Sequence, residues 1–180
     1  MAVAGKLRYA YLAFFSKPKS DRRLYRLVKR LRARKVVEFG IDSIERSLNL
    51  ISVCQRYSPG EPISYTGLDW FEERPASLAP LSLIETHRRV KAAGAEARLM
   101  PGGPAEAAPA VANSLLGTDL LLVSPTADDR ALADAWFYLP RILHDRSVVL
   151  RGIAEERGGG WEAVERSTIE AYASPRRSAA

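Results

Sequence analysis

Two acids stand where this chain could do chemistry. Glu38 follows the apolar pair Val36-Val37 and is separated by one residue from Gly40, and Asp69 closes the run Ile63 to Leu68 and is followed by Trp70. A buried strand ending in an acid and a glycine, followed about thirty residues later by a second strand ending in an aspartate, is how nucleotide-binding α/β sheets begin. A carboxylate at a strand end accepts two hydrogen bonds from a ribose diol, more strongly than a neutral acceptor does. An aromatic ring beside it can pack on an adenine. Gly40 allows a positive φ or a close backbone approach at the turn. Each residue also has a plainer reading: Asp69 as a helix cap or turn residue, Trp70 as core, and Glu38 as the partner of Lys35 or of an upstream arginine. Whichever holds, a carboxylate in a Val-Val strand must find partners or bear a desolvation cost.

Other chemistry is poorly served. His87 and His144 are the only histidines, and neither has a second ligand at metal spacing. The single cysteine, Cys54, cannot form an intrachain disulfide and falls in a helix-like run, so it reads as a buried bystander in a reducing compartment. Asp128-Asp129 reads as a helix N-terminus, where carboxylates are favoured. No nucleophile elbow, phosphate-binding loop or paired-carboxylate spacing is present, and no residue presents itself as a catalytic base.

The elements that must position the acids follow from periodicity. Ser20 or Asp21 caps a helix with Leu24, Leu27, Val28 and Leu31 on one face, flanked by Tyr25. Strands are expected at Val36 to Phe39, Ile63 to Leu68, Ala95 to Met100, Asp119 to Val123 and Ser147 to Leu150. The run Leu120-Leu121-Leu122-Val123 is apolar on both faces, as in the middle of a parallel sheet. Helices are expected at Ser43 to Tyr57, with Ile44, Leu48, Ile51 and Cys54 inward, and at Leu81 to Ala93, with Leu83, Ile84, His87 and Val90 on one side. Two more follow Pro101-Gly102-Gly103-Pro104 and span Asp128 to Leu143, where Pro140 should kink or end the helix. After Arg151 the pattern weakens through Gly158-Gly159-Gly160. Ser167-Thr168-Ile169-Glu170 reads as a capping box, and Pro175 to Ala180 as a tail.

Strands alternating with helices give an α/β fold, a doubly wound, mainly parallel Rossmann-like sheet. At 180 residues the chain fits one domain. We divide it into a basic helical extension, residues 1–34, packed on an α/β domain, residues 35–180. Ligands bind such sheets beyond the carboxyl ends of the strands, where strand order reverses. The turns at Gly40 to Ser43, Asp69 to Glu72, Pro101 to Gly103 and Ser124 to Thr126 should share one crevice.

On these residues the chain resembles the class I S-adenosylmethionine-dependent methyltransferases, from residue 20 to 151 in element order. Glu38-Phe39-Gly40 matches the start of their acid-x-Gly-x-Gly motif, and Asp69 matches their second acid. The resemblance implies S-adenosylmethionine as cofactor, with Asp69 on the ribose hydroxyls, Trp70 on the adenine, and Glu38, Gly40 and Asp42 along the methionine moiety. The chain departs from that pattern at several points. Asp42 stands in place of the second glycine, where it narrows the path and repels a carboxylate. Gly102-Gly103 replaces the acid after the third strand, and Ser124-Pro125-Thr126 differs from the Asn/Asp-Pro-Pro-Tyr segment of amino-group methyltransferases. Residues 152–180 leave room for at most a reduced hairpin, and a truncated sheet edge favours a dimer.

The net charge of +6 is concentrated in one segment. Residues 6–35 carry twelve Lys/Arg and one acid, Asp21. Such a segment suits nucleic acid, an anionic membrane surface anchored by Tyr9, Tyr11, Phe14 and Phe15, or solvated arginines on a helix packed across the sheet. No apolar run is long enough to span a membrane and no export signal is evident, so a cytoplasmic protein is expected. Three functions of different class remain: a methyltransferase-like cofactor binder, active or catalytically degenerate, a non-catalytic dimeric scaffold, and a nucleic-acid binder led by residues 6–35.

Overall fold

The computed structural model describes residues 2–127 and 129–173. Asp128 and the tail from Pro175 to Ala180 lie outside them. Helices α1 (Ala2–Phe14) and α2 (Asp21–Leu31) precede strand β1 (Lys35–Phe39). The chain then alternates through α3 (Ile44–Tyr57), β2 (Ile63–Asp69), α4 (Leu83–Ala92), β3 (Ala95–Pro101), α5 (Pro104–Val111), β4 (Thr118–Val123), α6 (Asp129–Ile142) and β5 (Leu143–Ile153). It closes with a short strand β6 (Gly160–Ala163) and α7 (Arg166–Ala173).

The six strands form one sheet of order β3-β2-β1-β4-β5-β6, parallel except for the antiparallel β5–β6 pair. Order reverses between β1 and β4, which lie side by side in register Val36↔Leu120 to Phe39↔Val123. Alternation along β4 sends Leu120 and Leu122 to one face and Leu121 and Val123 to the other, and all four are buried. The first face is covered by α2 and α3 through Leu24, Val28, Leu50 and Ile51. The second is covered by α5, α6 and α7 through Ala108, Leu132, Trp136 and Ile169. The sheet is therefore doubly wound, as the sequence implies.

Several expectations need correction. The helix expected from Leu81 spans Leu83–Ala92 and buries Thr86 and Val90, leaving His87 exposed and Ile84 80% exposed. Helix α3 is rotated from its apolar reading. Arg46 and Ser47 are buried while Ile44 and Leu48 are only partly so, because β1 offers a carboxylate on that face. Pro140 does not end α6, which continues to Ile142. Ser20 makes no side-chain cap at α2, and Ser167 lies inside α7 rather than before it. The glycines 158–160 are not a loose break. All three have positive φ, and they return the chain from β5 into β6, pairing Gly152 with Trp161.

Candidate functional site

A hollow of about 470 Å³ opens at the carboxyl ends of β1, β2, β4 and β5. Gly40, Asp42, Asp69, Trp70 and the Ser124 turn line it, as the sheet topology requires. The loop Pro101-Gly102-Gly103 does not. Its Gly103 backs the Trp70 ring instead, and a Cβ there would stand 2.7 Å from Trp70 Cζ2. The far wall comes from residues absent from the expected site, namely the β5–β6 turn with Trp161, the start of α2 with Asp21, and the loop holding Arg74.

Asp69 is buried and fully engaged. Its Oδ2 accepts from the Ile41 backbone N–H (2.7 Å) and from Arg74 Nη2 (2.6 Å), and its Oδ1 accepts from Phe71 N–H (3.0 Å) and Arg74 Nε (2.6 Å). Arg74 is equally buried and also donates to the Ile41 carbonyl. Such a two-pronged ion pair is geometrically specific. It bolts the β2 exit to the turn after β1. The carboxylate that the resemblance implies for a ribose diol thus already carries four donors.

Gly40 has φ +82°, and its missing side chain makes room for a neighbour rather than for open space. A Cβ there would lie 2.6 Å from Ser124 Cβ. Ser124 Oγ donates a short hydrogen bond to Asp42 Oδ1 and contacts Thr126 Oγ1 at 2.7 Å. Asp42 Oδ2 accepts from Arg46 Nη2 at 3.3 Å. The expected repulsion at Asp42 is therefore offset by a hydroxyl and a guanidinium.

Glu38 is sealed beneath the crevice. It pairs with neither Lys35, whose Nζ donates to the Leu116 carbonyl (2.6 Å), nor an arginine of α2. Ser47 Oγ of α3 donates to its Oε2 at 2.9 Å. Burial raises its pKa from 4.5 to about 7, opposed by the nearby Arg46 guanidinium and the Ser47 hydrogen bond. Tyr65 OH and Glu38 Oε1 are both buried without a hydrogen-bond partner, although the two groups influence one another electrostatically. Arg46 is the hub. Burial works to lower its pKa, but Glu38, Asp42 and Asp21 together raise it. Its guanidinium also stacks on Trp161 at 4.9 Å, and Trp161 Nε1 donates to Asp21 Oδ1 at 3.3 Å. Desolvation raises the Asp21 pKa.

The remaining candidates lie elsewhere. Cys54 is buried in the core with its thiol pushed up to about 12 by desolvation, which suits packing and not nucleophilic attack. His144 Nε2 meets Asp119 Oδ1 at 3.0 Å, while Asp119 Oδ2 accepts from the backbone N–H groups of Arg34 and Lys35. That cluster fastens the entry to β1, at the opposite end of the sheet. Among the described residues, no group of His, Cys, Asp and Glu could hold a metal ion. No described helix is long and apolar enough to cross a membrane.

No protein-family model matches the chain, and neither does any curated protein. Solved structures do. CalS11, a TDP-rhamnose 3'-O-methyltransferase of calicheamicin biosynthesis, superposes with TM-score 0.56 at 13% identity, over 83% of this chain and 76% of its own. An O-methyltransferase from Bacillus cereus in complex with SAH gives 0.54 at 15% identity, over 84% of this chain. TomG, an O-methyltransferase of Streptomyces achromogenes in complex with SAM, gives 0.50 at 16% identity, over 84% of this chain. This chain spans only 64% of the length of each of the last two. At such identities the likeness establishes architecture alone: the chain has a methyltransferase-like Rossmann fold whose crevice lies where the strand order reverses.

Proposed function

We propose that the crevice binds S-adenosylmethionine or its demethylated product, and that the protein is a divergent methyltransferase-like cofactor binder. One observation carries this reading: the hollow is acidic, although the chain as a whole carries a net charge of +6. Five carboxylates line it, from Asp21, Asp42, Asp69, Glu155 and Glu156, against the guanidiniums of Arg46 and Arg74. That balance disfavours the phosphates of ordinary nucleotides and favours a cationic ligand. S-adenosylmethionine joins an adenosyl group to a sulfonium, an ammonium and a carboxylate, for a net charge of +1, whereas ATP is strongly anionic.

The residues present suit the cofactor in part. About 470 Å³ lies within the usual range for small-molecule pockets, and Trp70, 38% exposed at the rim, offers a face for adenine. Asp69 meets a ribose diol only by surrendering donors from Arg74. Bound there, the cofactor would supply a methyl group activated by the sulfonium. The protein's share of such a transfer is orienting the acceptor, which needs no strong base, and we assign no catalytic base.

A second reading rests on a specific observation. Asp69, Asp42 and Gly40 are all satisfied by Arg74, Ser124 and Arg46, so the rim needs no ligand to complete it. This favours a scaffold domain, dimeric if its sheet edges pair. Calorimetric titration of the folded chain with S-adenosylmethionine, S-adenosylhomocysteine and ATP separates the two. The cofactor reading expects saturable heat with the first two and none with ATP. Silence from all three at millimolar concentration supports the scaffold.

A further inference from the structure

Helix α1 has two apolar faces, and its packing on α2 and α3 uses only one. Leu12 and Ala13 are buried against the body and Tyr9 packs edge-on to Tyr57 at 4.9 Å, so the helix is held firmly in one rotation. That rotation turns Leu7, Tyr11, Phe14 and Phe15 outward, with exposures of 67%, 58%, 53% and 69%. Their spacing of four, three and one residues makes a single stripe. A contiguous exposed patch of this kind, unlike a lone exposed leucine, marks an interaction surface.

The surroundings of the stripe identify what covers it. Arg26 lies over the Phe14 ring at 6.0 Å, and Arg22 donates to the carbonyls of Ser16 (2.7 Å) and Phe15 (3.2 Å). Lys17 and Lys19 stand exposed on the turn that follows, and Arg23 and Arg30 are exposed on α2. The one acid among residues 6–35, Asp21, is buried and faces Trp161. A second copy of the chain would bring cations against cations with no exposed acid in that segment to pair with them. A nucleic acid would meet the arginines but leave the leucine and phenylalanines uncovered. An anionic lipid bilayer satisfies both features, because headgroups take the cations while the rings enter the boundary with the acyl chains.

We propose that α1 and α2 form a docking surface for an anionic lipid bilayer, with Leu7, Tyr11, Phe14 and Phe15 as inserted anchors and the exposed Lys and Arg residues of α2 and the preceding turn as headgroup contacts. This surface adjoins the crevice, whose far wall includes Pro18, Ser20 and Asp21, but none of its anchors or cations lines that hollow. The test is co-sedimentation of the full chain with vesicles of phosphatidylcholine alone and of phosphatidylcholine with 30% phosphatidylserine. Binding is expected to the anionic vesicles only, weakened in 0.5 M salt. Arg23→Glu and Arg30→Glu should each lower the affinity about fivefold or more. Phe14→Ser with Phe15→Ser, both solvent-facing and checked for an unchanged circular dichroism spectrum, should lower it tenfold or more. Each of these results overturns the proposal: no binding of folded protein to anionic vesicles, binding indifferent to both phenylalanines, or a dimer that these substitutions dissociate in a protein that ignores vesicles. Tighter capture by single-stranded RNA than by the anionic vesicles also overturns it in favour of nucleic acid.

Discussion

Replacing Glu38 by glutamine should make the protein more stable at alkaline pH, against the usual expectation for removing a buried polar group. The carboxylate has no exposure, one hydroxyl donor on Oε2 and none on Oε1, and a pKa raised to about 7 chiefly by desolvation. Between the ordinary 4.5 and about 7, the folded chain holds a proton on Glu38 that the unfolded chain has released. Folding stability therefore falls as pH rises through that window, because the native state binds more protons. Each pH unit of separation is worth about 1.4 kcal/mol, so the full loss is on the order of 3 kcal/mol by pH 8. Against a total stability of roughly 5–15 kcal/mol that is a large effect. Glutamine keeps the shape and removes the titration.

Urea unfolding followed by tryptophan fluorescence, for both proteins from pH 5 to pH 8, measures it. The two should be close at pH 5, with the wild type losing about 3 kcal/mol relative to Glu38→Gln by pH 8. Asp21, whose pKa burial also raises, adds a slope of the same sign, but to both proteins. Parallel stability curves would mean that Arg46 fully neutralises Glu38 across the range. That outcome would refute the reasoning.

Breaking the Asp69–Arg74 pair with Arg74→Gln leaves a buried carboxylate with only its two backbone donors, and should cost about 3–5 kcal/mol in urea unfolding. Adding Asp69→Asn should recover part of that cost, and strictly additive losses would show that the pair is not coupled. Gly40→Ala, forced into a left-handed backbone and against Ser124 Cβ, should cost about 1–3 kcal/mol. Ser124→Gly in the same chain should relieve the contact but not the dihedral strain, so complete rescue would show that crowding alone excludes a side chain. Trp70→Ala should leave thermal stability nearly unchanged while weakening S-adenosylhomocysteine binding roughly tenfold to a hundredfold. Equal affinities in calorimetry would remove Trp70 from the adenine site.

The sheet was readable because its central strands are apolar on both faces, and only a layer of helices on each side can bury Leu120 through Val123. The final strand was not. Gly160–Ala163 alternates no apolar residues, and its Trp161 is recruited by Arg46 and Asp21, residues more than a hundred positions away. Arg46 and Ser47 were hidden for a related reason. On a helix of marginal amphipathicity they read as the solvent face, and only the carboxylate on β1 draws them inward. Arg74 had a weak signal as the first cation after Asp69, but an acid awaiting a ribose and an acid awaiting an arginine look the same in sequence.

Glu38 and Asp69 show how little residue type alone decides. Glu38 pairs in register with Gly67, so the two lie at one level of the sheet and point to one face. Asp69, two residues beyond Gly67, points to that same face one pleat farther out, about 6–7 Å nearer the rim. Ile41 fills the space over Gly67, the register partner of Glu38, where a Cβ would stand 2.7 Å from its Cδ1. One acid is thereby committed to the α3 cluster and the other is placed at the crevice wall. The depth of each acid below the strand ends thus divides structural carboxylate from site carboxylate. A ligand that reaches Asp69 does so at the level of Arg74, never at the level of Glu38.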